Sequence, residues 1–106
     1  MAAEDLNILL GDRPIIFGEV LARLRKRGNL SIRAMGASVD VDAPYILRLE
    51  SGEKTNPSKR TIGRLALALM RGNPTPNIWE LAELYLAADT WPPFLDKTDL
   101  KVPEKG

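Results

Sequence analysis

The sequence contains no cysteine and no histidine. Those two absences together exclude disulfides, thiolate chemistry and the usual zinc sites. They also remove the general base of Ser-His and Cys-His catalysis. Carboxylate-only chemistry needs acids held together in an apolar setting, and the 14 Asp and Glu residues are scattered over polar stretches instead. Aromatics are sparse: two Trp, two Tyr and two Phe in 106 residues leave little material for a cofactor pocket. No apolar run approaches the roughly 20 residues that cross a bilayer. The opening MAAEDLNILLGDR carries acids where a secretory leader carries bases. The expectations are a cytoplasmic protein that is not an enzyme, with no metal, no cofactor and no membrane contact.

What is present is ordinary for a single folded domain: 44% hydrophobic and 27% charged residues. The net charge of +1 hides a division along the chain. Residues 1–12 carry −3, residues 13–64 carry +6 and residues 65–106 carry −2. A basic middle between acidic ends fits a module that faces a polyanion, although a solvated charged surface has the same composition.

Apolar residues recur at helical spacing, with no strand-like alternation of any length. Pro14 fits the first turn of a helix running to about Arg27, with Phe17, Val20, Leu21 and Leu24 inward, and Gly28-Asn29 stops it. Ser31 is a suitable N-cap for a short second helix to about Ser38, whose core residue is Met35, flanked by Ile32 and Val39. Asp40 stands where the chain turns and tolerates the left-handed region. Asp42 caps a third helix that ends at Ser51-Gly52, with Ile46 and Leu49 on its inner face. Either Asn56-Pro57 or Ser58 opens a fourth helix to about Arg71, buried through Ile62, Leu65, Ala66 and Leu69. Asn77 and Glu80 have the spacing of a capping box for a fifth, 78–88, whose apolar set includes Ile78, Leu81, Ala82, Tyr85 and Leu86. The expected organisation is an N-terminal tail over 1–13, a helical domain over 14–88 and a Pro-containing C-terminal tail over 89–106. Trp91, Phe94 and Leu95 form a docking patch in that last segment.

Two short helices joined by a tight turn form a helix-turn-helix. The segment 30–52, LSIRAMGASVDVDAPYILRLESG, sharpens this. It resembles the helix-turn-helix of the Xre and phage-repressor family, of the Cro and lambda-repressor type. The resemblance rests on Leu30-Ser31, Met35, the small Gly36, Val41, Tyr45-Ile46, Arg48-Leu49-Glu50 and Gly52, in order and without a gap. FGEVLARLRKRGN, NPSKRTIGRLALAL and IWELAELYLAA are similar to the family's first, fourth and fifth helices. The implied fold is all-α, a five-helix lambda-repressor-like DNA-binding domain with extended terminal tails.

The resemblance implies a sequence-specific, double-stranded-DNA-binding transcriptional regulator with 42–51 as its recognition helix. It places base reading at Ala43, Pro44, Leu47 and Arg48. It places phosphate contacts at Ser31, Arg33, Lys54, Thr55, Asn56, Lys59 and Arg60, and a structural ion pair between Arg25 and Glu50. Family members often hold Gln, Arg, Ser or Asn at the first three reading positions. Ala, Pro and Leu can only touch thymine methyls or pack on sugars, which leaves Arg48 as the one hydrogen-bonding reader. Ile32 also replaces a Gln that bonds phosphate in the family. The expected assembly is a homodimer joined through helix 78–88 and Trp91–Leu95, associated with the nucleoid. A rival expectation is a helix-turn-helix reused as a protein-interaction module, antitoxin-like or a phage adaptor, presenting Ala43, Pro44 and Leu47 to a partner.

Overall fold

In the computed structural model, which describes residues 16–95, each helix starts and stops at a residue whose chemistry explains the boundary. The helices are α1 Phe17–Arg27, α2 Ile32–Val39, α3 Ala43–Ser51, α4 Lys59–Leu69 and α5 Ile78–Ala87. No strand occurs among the described residues. The expected tail residues 1–13 and all residues after Leu95 lie outside them. Helix α1 begins three residues after Pro14, with Ile16 extended at its N-cap, and Pro14 is likewise outside the described residues.

Ser31 Oγ accepts the Ala34 N–H at 2.9 Å, and Ser58 Oγ accepts the Thr61 N–H at 3.1 Å. Of the two candidate openings of α4, Ser58 is therefore the cap, and Pro57 beside it is buried. Asn77 and Glu80 close a reciprocal capping box, with bonds of 2.8 and 2.9 Å. Each such cap stabilises its helix by about 1 kcal/mol. Asp40 ends α2 in the left-handed region, at φ 59° and ψ 47°.

Asp42 is different. It sits at the N-cap of α3, yet its side chain makes no capping hydrogen bond, so α3 runs over Ala43–Ser51. A capping carboxylate accepts from the second or third helical N–H. The second helical residue, Pro44, has no N–H, and the third, Tyr45, keeps its N–H but does not donate it to Asp42.

The core is one layer of aliphatic side chains drawn from all five helices: Leu21, Leu24, Met35, Ile46, Leu49, Ile62, Leu65, Leu69 and Leu84 are fully buried. Burying one Leu or Ile side chain is worth roughly 1.5–3 kcal/mol, so this layer carries most of the stability. Helix α1 packs on α3 and α5, α2 on α3 and α4, and α4 on α5. In α5 the buried face is Leu81, Ala82, Leu84 and Tyr85, while Ile78 and Leu86 are exposed, contrary to the sequence reading. A single helical stripe cannot hold Leu84 and Leu86 together, because they project about 200° apart.

Two glycines permit the close approaches that set the helix angles. A Cβ on Gly18 would lie 2.2 Å from the Leu49 carbonyl oxygen, so α1 rests directly on the end of α3. A Cβ on Gly36 would lie 2.3 Å from the Val41 carbonyl oxygen, which explains the small residue before the turn. Beyond α5 the chain folds back. Pro92 is fully buried, and Phe94 meets Tyr85 edge-on with ring centroids 5.5 Å apart. Trp91 Nε1 donates to the Leu95 carbonyl at 2.8 Å.

Candidate nucleic-acid interface

The α2–turn–α3 unit is held by its inward residues. Met35 from α2 and Ile46 and Leu49 from α3 enter the core, and the Val41 N–H donates to the Gly36 carbonyl across the turn at 2.9 Å. Burying Ile46 and Leu49 turns the other side of α3 to solvent. Residues three and four apart share a helix face, so Ala43, Pro44, Leu47 and Arg48 form one continuous outward stripe. Pro44, Leu47 and Arg48 are exposed and Ala43 is half-buried.

A guanidinium–carboxylate pair fixes the posture of that stripe. Arg25 of α1 donates from Nε to Glu50 Oε2 at 2.6 Å and from Nη2 to Glu50 Oε1 at 2.9 Å. Its Nη1 donates to the Leu30 carbonyl at 2.9 Å. The side chains are only 11% and 9% exposed. Glu50 raises the pKa of Arg25 by accepting these bonds, against the opposing effect of burial. A bidentate pair of this kind constrains orientation as well as distance, so α3 cannot roll against α1 without breaking it.

The structure distributes the other expected contact residues over three places. Arg33 joins Ile32, Ala43, Pro44 and Leu47 around one open apolar groove between α2 and α3. Lys54, Thr55 and Asn56 line a second cavity with Gly52 and Pro57, beside the start of α1 and the end of α5. Lys59 and Arg60 border a third with Gly63, Tyr85 and Trp91. Ser31 and Lys59 lie at the N-terminal ends of α2 and α4, where backbone N–H groups and the helix dipole favour anions. Arg48 is about half exposed, and its Nε stands 3.9 Å from Glu53 Oε2, a loose contact in water. The Lys54 N–H donates to the Arg48 carbonyl at 3.0 Å, which folds the following loop back against the end of α3.

Charge is divided in space differently from its division along the chain. Arg23 pairs with Glu83 at 2.5 Å, and Arg27 pairs with Glu80, both across the α1–α5 contact. The Arg27 guanidinium and the Asn77 N–H together hold the Glu80 carboxyl down at about 2. Three arginines of the basic middle are thus neutralised on faces other than the α3 stripe. Arg33, Lys54, Lys59 and Arg60 remain exposed, with no ion pair among the described residues. The α1–α5 pairs were missed in the sequence, although Arg23/Arg27 and Glu80/Glu83 each have the spacing of one helix face.

Apolar residues are also exposed on α4, α5 and the segments that follow them. Leu67, Met70, Ile78, Trp79, Leu86 and Phe94 are all substantially exposed there. Leu67 and Met70 border a groove with Leu81, Tyr85 and Phe94. No helix among the described residues is long and apolar enough to cross a membrane.

Comparison with known proteins agrees with this architecture. The family model described as a helix-turn-helix domain matches residues 16–75, more than half of the chain. The match takes in α1 to α4 and the turn, and ends before α5. No curated protein and no solved structure matches the chain.

Proposed function

Because the chain belongs to the helix-turn-helix domain family, we propose that it is a sequence-specific double-stranded-DNA-binding transcriptional regulator of Xre type. Helix α3 enters the major groove, which accepts an α-helix and displays a distinct pattern for each base pair. The observation that carries this reading is the outward stripe of α3, locked to α1 by Arg25–Glu50 and bordered by unpaired cations. Arg48 reads guanine through a bidentate contact. Arg33, Lys54, Lys59 and Arg60, with Ser31, Thr55 and Asn56, contact phosphates and set the register without reading sequence.

The protein acts in the cytoplasm, on the nucleoid, as a homodimer. One module buries limited surface, and two half-sites about 34–36 Å apart provide the affinity that one lacks. The exposed apolar residues of α5 and Trp91–Leu95 support a dimer contact there, extended by Leu67 of α4 and Met70 just after it. Selection from random duplexes, followed by gel shifts at two salt concentrations, tests the reading. With Arg33, Lys54, Lys59 and Arg60 of both subunits on phosphates, the dimer should show a slope of log affinity on log salt of about −7, from about −0.9 per phosphate neutralised. An enriched motif with steep salt dependence is expected.

The apolar character of Ala43, Pro44 and Leu47 favours a second reading, a protein-interaction module of antitoxin or phage-adaptor type. Weak, salt-insensitive binding with no enriched sequence would overturn the first reading and favour this one.

A further inference from the structure

The groove between the first turn of α2 and the outward stripe of α3 combines two features that are otherwise separate on this surface. Its walls are Ile32 and Arg33 from α2 and Ala43, Pro44 and Leu47 from α3. Arg33 is the one wall residue whose side chain can donate a hydrogen bond, so a base edge facing the other four cannot be read by donors and acceptors. The major groove offers such a wall one apolar feature, the methyl group on C5 of thymine. A 5-methylcytosine carries its methyl on the same ring carbon. Leu47 is 56% exposed, so it retains apolar area to bury on contact. Two cations flank the groove, Arg33 on its wall and Arg48 next to Leu47 in the sequence. That complementarity to phosphate favours a nucleic-acid edge over an apolar protein segment as the occupant.

We propose that this groove is a receptor for pyrimidine C5-methyl groups, so that the bound half-site carries one or two such methyls next to the guanine read by Arg48. The proposal rests on the DNA-binding reading above. It makes Ile32, Ala43, Pro44 and Leu47 specificity determinants in their own right, where a donor–acceptor code would leave them silent.

Removing one buried methyl weakens binding about fourfold, from about 0.8 kcal/mol per buried carbon. The test uses the full chain and the selected duplex, with each thymine replaced in turn by deoxyuridine. At the position that responds, four pyrimidines are compared: thymine, deoxyuridine, cytosine and 5-methylcytosine, each with its complement. Thymine should bind about fourfold tighter than deoxyuridine, and 5-methylcytosine about fourfold tighter than cytosine. Leu47→Ala should bring both ratios to near one, whereas Arg48→Ala should leave them standing. Because Leu47 is exposed, its truncation should leave the thermal melting curve unchanged. A selected duplex with no thymine sensitive to demethylation, or ratios that survive Leu47→Ala, overturns this inference and leaves the DNA-binding reading intact. Failure to enrich any sequence overturns both.

Discussion

Replacing Glu50 with Gln isolates the charge that locks α3 to α1, with almost no change of shape. The pair is bidentate and nine-tenths removed from water on both sides. In the Glu50→Gln variant the Arg25 guanidinium stays in place but loses its counter-charge and keeps two neutral acceptors, the amide oxygen and the Leu30 carbonyl. Stranding one partner of a buried ion pair costs about 3–5 kcal/mol. The two remaining acceptors and the residual exposure place this case at the lower end, near 3 kcal/mol. For a domain of this size, at about 4–8 °C per kcal/mol, the melting temperature should fall by about 12–24 °C. Urea unfolding followed by circular dichroism reads the same quantity at constant temperature. The companion double variant Arg25→Met/Glu50→Leu strands no charge, and paired replacement by apolar groups is often close to neutral. It should therefore be more stable than either of its own singles, Glu50→Leu or Arg25→Met, alone. A loss below about 1 kcal/mol for Glu50→Gln, or a double variant whose loss equals the sum of the singles, would mean a surface-like pair and would refute the lock.

Gly18→Ala should destabilise the domain by about 2 kcal/mol or more, read in the same urea assay, because its methyl would meet backbone oxygen that cannot swing away. Arg48→Ala should cost roughly 1–3 kcal/mol of DNA binding and relax the selected consensus at one position. Lys59→Ala should weaken binding to all sequences alike and reduce the salt slope by about 1 per subunit in gel shifts at graded salt. The folded protein holds the Glu80 carboxyl at about 2 against an ordinary 4.5. Its pairing with Arg27 therefore stabilises fully above about pH 4.5 and is lost as the pH falls toward 2. In Glu80→Gln, where the amide can still serve the capping box, the urea midpoint should vary less with pH across that window.

Local chemistry made the helical framework legible. Ser31, Asp40, Asn77 and Glu80 act through atoms within a few residues of themselves, and all four take the roles their spacing implies. Asp42 looked like the same kind of residue, yet its side chain makes no capping bond. Misreadings elsewhere share one cause, which is that the partner lies far along the chain. Arg23 and Arg27 looked like part of a basic middle facing a polyanion, but their acids come from α5, more than fifty residues away. The division of charge along the sequence therefore overstated the free cations. Likewise Ile78 and Leu86 are apolar at plausible positions, and only the packing of Leu84 against α1 and α4 decides which stripe of α5 turns inward. The apolar groove was half visible: Ala43, Pro44 and Leu47 were legible as poor hydrogen-bonding readers. That Ile32 and Arg33 of another helix complete its wall follows from the crossing of α2 over α3.

An amide-resolved NMR titration of the full chain with its selected duplex tests the placement of α3 most directly. With α3 in the major groove, the perturbed amides should fall at the start of α2, along α3 and through the loop from Gly52 to Lys59, while Trp79 and its neighbours on α5 stay still as duplex is added. Perturbations centred on α5, with α3 unmoved at saturation, would contradict it.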